Sequence, residues 1–191
     1  MCERVGKRFA GCTFATYEIG QDKYRTRRQR VKTVVENYAR SLREHHEAGT
    51  NLVIMGPKGT GKDHLAVSVV RVALGLGINV EYIRGSALYT EMRRHYCEHS
   101  AAVPQKFATV PFLVISDIEP TSDDKLISVF EERALLELID LRWRECLPTI
   151  VTSNLESREQ FDKKIGPRAT DRLFDKAIVV LTCWPTERGP L

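Results

Sequence analysis

The residues with the greatest chemical capacity stand together in one run, Gly56-Pro57-Lys58-Gly59-Thr60-Gly61-Lys62-Asp63-His64. Glycines at 56, 59 and 61 let successive backbone N–H groups turn toward a common point, and Lys62 adds an ammonium group on a long stem. Donors arranged this way cradle phosphate oxygens, provided the run leaves a strand and opens a helix whose positive end faces the ligand. The flanks meet that condition: Asn51-Leu52-Val53-Ile54-Met55 is an apolar run before it, and a helix-forming stretch from His64 to Leu74 follows. A polyphosphate ligand is expected. After the lysine such loops carry Ser or Thr, whose hydroxyl binds Mg²⁺; this chain has Asp63.

Two further polar groups sit where apolar runs end. Phe112-Leu113-Val114-Ile115 leads into Ser116-Asp117-Ile118-Glu119, and Pro148-Thr149-Ile150-Val151-Thr152-Ser153 leads into Asn154. Short continuous apolar runs are the mark of strands buried on both faces, as in a parallel sheet. The spacing predicts further elements around them. A helix spans about 27–48, with Val31, Val34, Val35, Tyr38 and Leu42 in register and Gly49 as its stop. A strand is expected over Ile78–Ile83 and a helix over Ser86–His99, with the basic end Arg93, Arg94, His95, His99. Pro104 and Pro111 bracket a connector. A long helix runs from about Asp124 to Arg144, presenting Leu126, Val129, Phe130, Arg133, Leu135, Leu136, Leu138, Ile139 and Leu141 on one broad face. Helical pieces over Arg158–Lys164 and Ala169–Lys176 precede a last strand, Ala177–Thr182. Strands alternating with helices give a parallel sheet covered on both faces, with the ligand at the strands' carboxyl ends, where all the polar tips lie.

Composition narrows the class. With 191 residues and 42% hydrophobic content the chain suits one globular domain with an extension. No apolar run reaches membrane-spanning length and the first residues lack a signal-peptide core, so a cytoplasmic protein with no membrane association is expected. Five scattered cysteines without a paired motif argue against a zinc site or disulfide framework. The net charge of +4 is unevenly placed: residues 1–50 hold 11 Lys/Arg against 6 Asp/Glu, and the remainder 18 against 19. Six cations fall within residues 23–32, beside Tyr24, a pattern suited either to nucleic-acid backbone or to a solvated helix start. Before the helix, Phe9, Phe14 and Tyr17 are expected to anchor an irregular arm on the domain. The division is therefore a basic arm and helix over 1–49 and a core over 50–191.

With its strand tips aligned, the chain resembles the AAA+ ATPases of the DnaC/DnaI helicase-loader and IstB transposition-helper group. The resemblance runs from about Arg8 to the carboxyl terminus. Its carriers are Gly-Thr-Gly-Lys-Asp-His-Leu-Ala (59–66), Phe-Leu-Val-Ile-Ser-Asp-Ile-Glu (112–119), Thr-Ile-Val-Thr-Ser-Asn-Leu (149–155) and Gly-Pro-Arg-Ala-Thr-Asp-Arg-Leu (166–173). It implies a P-loop NTPase fold, a three-layer αβα sandwich on a five-stranded parallel sheet, here expected without a helical lid domain. It also implies ATP and Mg²⁺ as ligands. Gly56, Gly61 and Lys62 match the Walker A loop, and Asn154 matches sensor 1, which helps position the attacking water. Arg168 matches an arginine finger serving a neighbouring subunit, with Arg172 a second candidate one helical turn on.

Two departures leave alternatives open. Direct alignment puts Ser116 at the magnesium aspartate and Asp117 at the catalytic acid; with Asp63 in the loop, hydroxyl and carboxylate have exchanged places. If instead the register slips, Asp117 takes the metal and Glu119 is the base, which requires an extended chain between them. The resemblance implies an ATPase forming homo-oligomers with inter-subunit sites, acting in DNA replication with single-stranded DNA and a replicative helicase. The alternatives are an IstB-like helper that works with duplex DNA and a transposase, and a nucleotide-gated DNA adaptor with little hydrolysis. A small-molecule kinase is disfavoured because the chain ends soon after its last strand, leaving no lid.

Overall fold

The computed structural model describes residues 5–99, 103–119 and 128–186. Five strands, β1 (Leu52–Met55), β2 (Val80–Arg84), β3 (Phe112–Ser116), β4 (Thr149–Ser153) and β5 (Ile178–Leu181), form one all-parallel sheet in the order β2-β3-β4-β1-β5. The last two residues of β1, Ile54 and Met55, pair with Thr152 and Ser153 of β4, so β4 lies between the phosphate-loop strand and β3. That order brings the carboxyl ends of β1, β4 and β3 side by side.

Eight helices described here flank the sheet: α1 (Arg25–Arg40), α2 (Leu42–Ala48), α3 (Lys62–Gly75), α4 (Gly85–His99), α5 (Gln105–Thr109), α6 (Val129–Arg144), α7 (Arg158–Ile165) and α8 (Pro167–Phe174). Alternation along each strand divides the core in two. Leu52, Ile54, Phe112, Val114, Ile150 and Val180 point to the side covered by Val31, Val35 and Tyr38 of α1 and by Leu65, Val69 and Ala73 of α3. Val53, Met55, Leu113, Ile115 and Val151 point the other way, onto Leu88 and Met92 of α4, Leu135, Leu138 and Ile139 of α6, and Phe161, Ile165 and Leu173 beyond. The result is a three-layer αβα sandwich.

The single helix expected over 27–48 is two. Ser41 leaves helical geometry at φ −109°, ψ 32°, and its N–H is shared between the Asn37 and Tyr38 carbonyls, while Gly49 closes α2 at φ 68° as predicted. The connector between the prolines holds a helical turn, α5, whose Phe107 and Ala108 are buried. The long helix starts at Val129 with a capping box between Ser128 and Glu131; Asp124 and Leu126 lie outside the described residues. Its buried face is Ala134, Leu135, Leu138, Ile139 and Arg142, while Val129, Arg133 and Leu141 are exposed. Phe9 and Phe14 are half-buried and Tyr17 is buried against the core, anchoring the arm as the sequence implies.

Candidate functional site

The loop after β1 lines a cleft of about 460 Å³ together with Arg8, Phe9 and Cys12 of the arm, Arg84 at the end of β2, Asp117 and Asn154. All three loop glycines hold positive φ, 134° at Gly56, 82° at Gly59 and 85° at Gly61, although the Gly56 N–H is taken by the Ser153 carbonyl at 3.2 Å. Gly61 is the N-cap of α3 at φ 85°, in a left-handed conformation that a side chain resists, and no side chain caps the helix there. A Cβ at Gly61 would come within 2.8 Å of the Tyr17 ring. The amino end of a 14-residue helix thus opens into the cleft with its N–H groups directed outward.

Lys62 is almost fully buried, and its Nζ donates to the Gly56 and Pro57 carbonyls at 2.7 Å each and to Asn154 Oδ1 at 3.1 Å. Asn154 is the hub on the other side. Its Nδ2 donates to Glu119 Oε1 at 2.7 Å and to Asp117 Oδ1 at 3.2 Å, and its backbone N–H reaches Glu119 Oε1 at 2.8 Å. Lys62, Asp117, Glu119 and Asn154, drawn from three separate sequence motifs, therefore meet. Glu119 Oε2 is buried without a hydrogen-bond partner among the described residues.

The exchanged pair is in contact. Ser116 Oγ donates to Asp63 Oδ1 at 2.9 Å, and Thr152 Oγ1 donates to the same oxygen at 2.8 Å. Ser116 itself is buried behind Asp63 and does not line the cleft. Asp117 is not extended: at φ 49° it occupies the left-handed region, with its N–H held by Thr152 Oγ1 at 3.0 Å and the next N–H, of Ile118, by the Thr152 carbonyl at 3.1 Å. The chain is thus kinked between Asp117 and Glu119, where a slipped register calls for an extended one; Asn154 nonetheless gathers both carboxylates. Burial, then the charges of Asp63 and Glu119, raise the Asp117 pKa, opposed by Lys62 and the Asn154 hydrogen bond.

His64 lines the cleft and also holds the arm. Its Nε2 lies 2.8 Å from the Thr13 carbonyl oxygen and 3.2 Å from Thr16 Oγ1, and Tyr17 meets its ring edge-on at 5.4 Å. Thr60 is fully buried, its hydroxyl bonded to the Pro57 carbonyl and 2.7 Å from Thr182 Oγ1. Lys58 and Gly59 line the cleft.

Arg168 and Arg172 stand apart from this cluster. Arg168 is exposed near the start of α8, where Arg158 and Arg172 pair with Asp171. Arg172 is tied down, bonded to Asp140 and Asp171 at 3.3 Å and lying 4.3 Å over the Trp143 ring. In the basic run, Arg28 is buried against Asp22 at 2.6 Å and packs 5.6 Å from the Trp184 ring, whereas Arg25, Arg27 and Arg30 are exposed. Arg93 pairs with Glu131 at 2.9 Å. Thr152, Arg84 and the cleft face of the arm were not singled out by sequence reasoning. Thr152 carried a signal, because it lies two residues before Asn154 on the same strand face.

The residues present fit a magnesium nucleotide. The uncapped amino end of α3 and Lys62 suit a triphosphate, and Asp63, Asp117 and the neighbouring hydroxyls are hard oxygen donors. No group of three or more His, Cys, Asp or Glu among the described residues makes a cation site by itself.

A parallel sheet with β4 inserted between β1 and β3, a glycine-rich loop at a helix start and polar tips on the neighbouring strands define an α/β P-loop NTPase. Residues 12–182 match the family model described as IstB-like ATP binding protein, and the chain belongs to that family, whose members are ATP-binding AAA+ proteins. It is 22% identical over 182 residues to the replicative helicase loader DnaC of Escherichia coli K12, spanning 93% of this chain and 69% of that one. It is 31% identical over 144 residues to a putative ATP-binding protein of insertion sequence IS232 from Bacillus thuringiensis subsp. berliner, spanning 70% of this chain and 54% of the relative. Among solved structures the DnaC helicase loader matches with a TM-score of 0.78 at 17% identity, over 92% of this chain and 99% of that one, and DnaI with 0.65 at 19%, over 95% and 93%. No described helix is long and apolar enough to cross a membrane.

Proposed function

We propose that the protein hydrolyses ATP at sites completed by a neighbouring copy of itself and uses that cycle to act on DNA in replication, as a helicase loader in the cytoplasm. The observation that carries this reading is the convergence of Lys62, Asp117, Glu119 and Asn154 at the mouth of an uncapped helix. Lys62 would exchange its loop carbonyls for phosphate oxygens, and Asp63 would face the metal, steadied by Ser116. Bound Mg²⁺ would supply charge neutralisation of the triphosphate. Asp117, or Glu119 beside it, would accept a proton from water held by Asn154. Arg168 is free to reach a neighbouring site, while the ion pairs and Trp143 contact of Arg172 make it the weaker candidate. The exposed cations Arg25, Arg27 and Arg30 of the amino-terminal arm and helix (1–49), with Arg94 on the core (50–191), would bind nucleic-acid backbone.

The similarity to insertion-sequence ATP-binding proteins supports a second version, in which the partner is a transposase and the DNA is duplex. A third, a nucleotide-gated adaptor with little hydrolysis, is favoured by one observation: Asn154 clasps both candidate bases at once. The deciding experiment is ATP turnover with Mg²⁺, alone, with single-stranded DNA and with duplex, beside Lys62→Ala and Arg168→Ala. Turnover abolished in both variants, and recovered by mixing them, supports the inter-subunit ATPase; nucleotide binding without turnover in any condition refutes it in favour of the adaptor. The form of DNA that stimulates turnover separates loader from transposition helper.

A further inference from the structure

Thr152 is the centre residue of an interior strand's carboxyl half, fully buried, on the face of the sheet that α3 covers. A hydroxyl in that position ordinarily bonds to backbone nearby. Here it serves two acids from different elements: its proton goes to Asp63 Oδ1 at 2.8 Å, and its oxygen accepts the Asp117 N–H at 3.0 Å. Asp63 opens α3, and Asp117 is the kinked residue after β3. One side chain therefore ties the start of the phosphate-loop helix to the tip of β3.

Two consequences follow from the geometry. Asp63 Oδ1 accepts from Ser116 as well, so both hydroxyl protons go to one oxygen and Oδ2, which forms no hydrogen bond among the described residues, is left as the oxygen available to a cation. Asp117 is a non-glycine residue at φ 49°, a conformation that persists only where surrounding bonds determine it, and its N–H bond to Thr152 is one of those. Ser116 Oγ reaches Asp63, while the Asp117 N–H goes to Thr152. Thr152 fixes both.

We propose that Thr152 is the positioning residue for Mg²⁺-dependent nucleotide binding, holding Asp63 Oδ2 and the Asp117 carboxylate in the single arrangement that accepts the metal. This rests on the nucleotide reading above. It assigns Thr152 no contact with substrate. Its role is to set where two carboxylates stand.

The test is titration of the full chain with a fluorescent ADP analogue, in Mg²⁺ and again in EDTA, accompanied by thermal unfolding. Thr152→Val removes both hydrogen bonds at nearly constant shape, and Thr152→Ser keeps them. The expected result is that Thr152→Val weakens binding at least tenfold in Mg²⁺ and less than twofold in EDTA, with Thr152→Ser close to wild type. Asp63→Asn keeps an oxygen for both hydroxyls but loses the charge; it should show the same Mg²⁺-specific loss, and the double variant should lose little more. Because Asp63→Asn leaves the strand interior untouched, it tests the metal role even if Thr152→Val folds poorly. The proposal is overturned if Thr152→Val keeps the wild-type ratio of Mg²⁺ to EDTA affinity, or if both affinities fall by the same factor alongside a lower unfolding midpoint, which marks a role in packing only. It is also overturned if wild-type affinity is indifferent to Mg²⁺. Absence of wild-type binding in both media refutes the nucleotide reading itself.

Discussion

Arg142 is wholly buried near the carboxyl end of α6, with no carboxylate among its partners in the described residues. Its Nη1 donates to the Phe107 and Val110 carbonyls at 2.8 and 2.9 Å, Nη2 to the Pro148 carbonyl at 2.6 Å, and Nε to Thr149 Oγ1 at 3.0 Å. Burial lowers its pKa to about 9, which leaves it cationic at neutral pH. Arg142→Met fills much of the volume but orphans three carbonyls, each costing about 1–3 kcal/mol when buried unpaired. Relief of the guanidinium desolvation offsets part of that, so a net loss of about 4 kcal/mol is expected. For a chain of this size that corresponds to a fall of roughly 8–16 °C in the unfolding midpoint. The assay is urea unfolding followed by circular dichroism, at pH 7, with Arg142→Lys as companion. Lysine keeps the charge but lacks the planar fork, and should recover less than half of the loss. A loss below about 1 kcal/mol for Arg142→Met would refute the view that this side chain pins the starts of β3 and β4.

Other expectations are open to measurement. His45 stacks on Tyr38 with centroids 4.2 Å apart, and burial lowers its pKa, opposed by Glu44. The unfolded chain therefore binds more protons than the folded one just below the ordinary histidine pKa of about 6.5, and stability falls as pH falls through that window; the urea midpoint of His45→Gln should lose part of this acid sensitivity between about pH 7 and 5. Gly85→Ala places a methyl against the Asp117 carbonyl oxygen; about 1–3 kcal/mol of stability should be lost, with ADP affinity reduced through the displaced Asp117 turn, and an unchanged melting curve would contradict the close approach. Tyr17→Phe should cost under about 1 kcal/mol, since its hydroxyl bond to the Thr60 carbonyl is long at 3.4 Å, whereas Tyr17→Ala should cost about 3 kcal/mol by removing a buried ring.

Much of the fold is legible in the sequence because its signals are local and agree. The apolar runs ending in Met55, Ile115 and Ser153 have the length and composition of interior parallel strands, and Gly56 to Lys62 between strand and helix marked the cleft. Asn154 was found by its place at a strand tip, and its contacts with Lys62, Asp117 and Glu119 bring the three motifs to one point. What escaped is pairwise and long-range. Arg142 lies among apolar residues of a helix pattern, and nothing in the spacing says that Phe107, Val110 and Pro148 will offer it carbonyls. The break at Ser41 is invisible to periodicity because the apolar register continues across it. Arg28 reads as one more cation in a basic run, yet Asp22 and Trp184 claim it. The kink at Asp117 depends on a hydroxyl 35 residues away in sequence, at Thr152.

The sheet runs in one direction only, and this sorts substitutions by where along a strand they fall. At the amino edge, Asn51, Thr149 and Arg142 bond to one another and, through Asn51, to the Arg172 and Leu173 carbonyls at the end of α8. At the carboxyl edge, Ser116, Thr152 and Asn154 serve the acids and Lys62. Lineages of this chain that change their chemistry should vary first along the carboxyl edge, and a saturation scan read once for cellular abundance and once for nucleotide capture should resolve into two bands, one at each end of the same five strands.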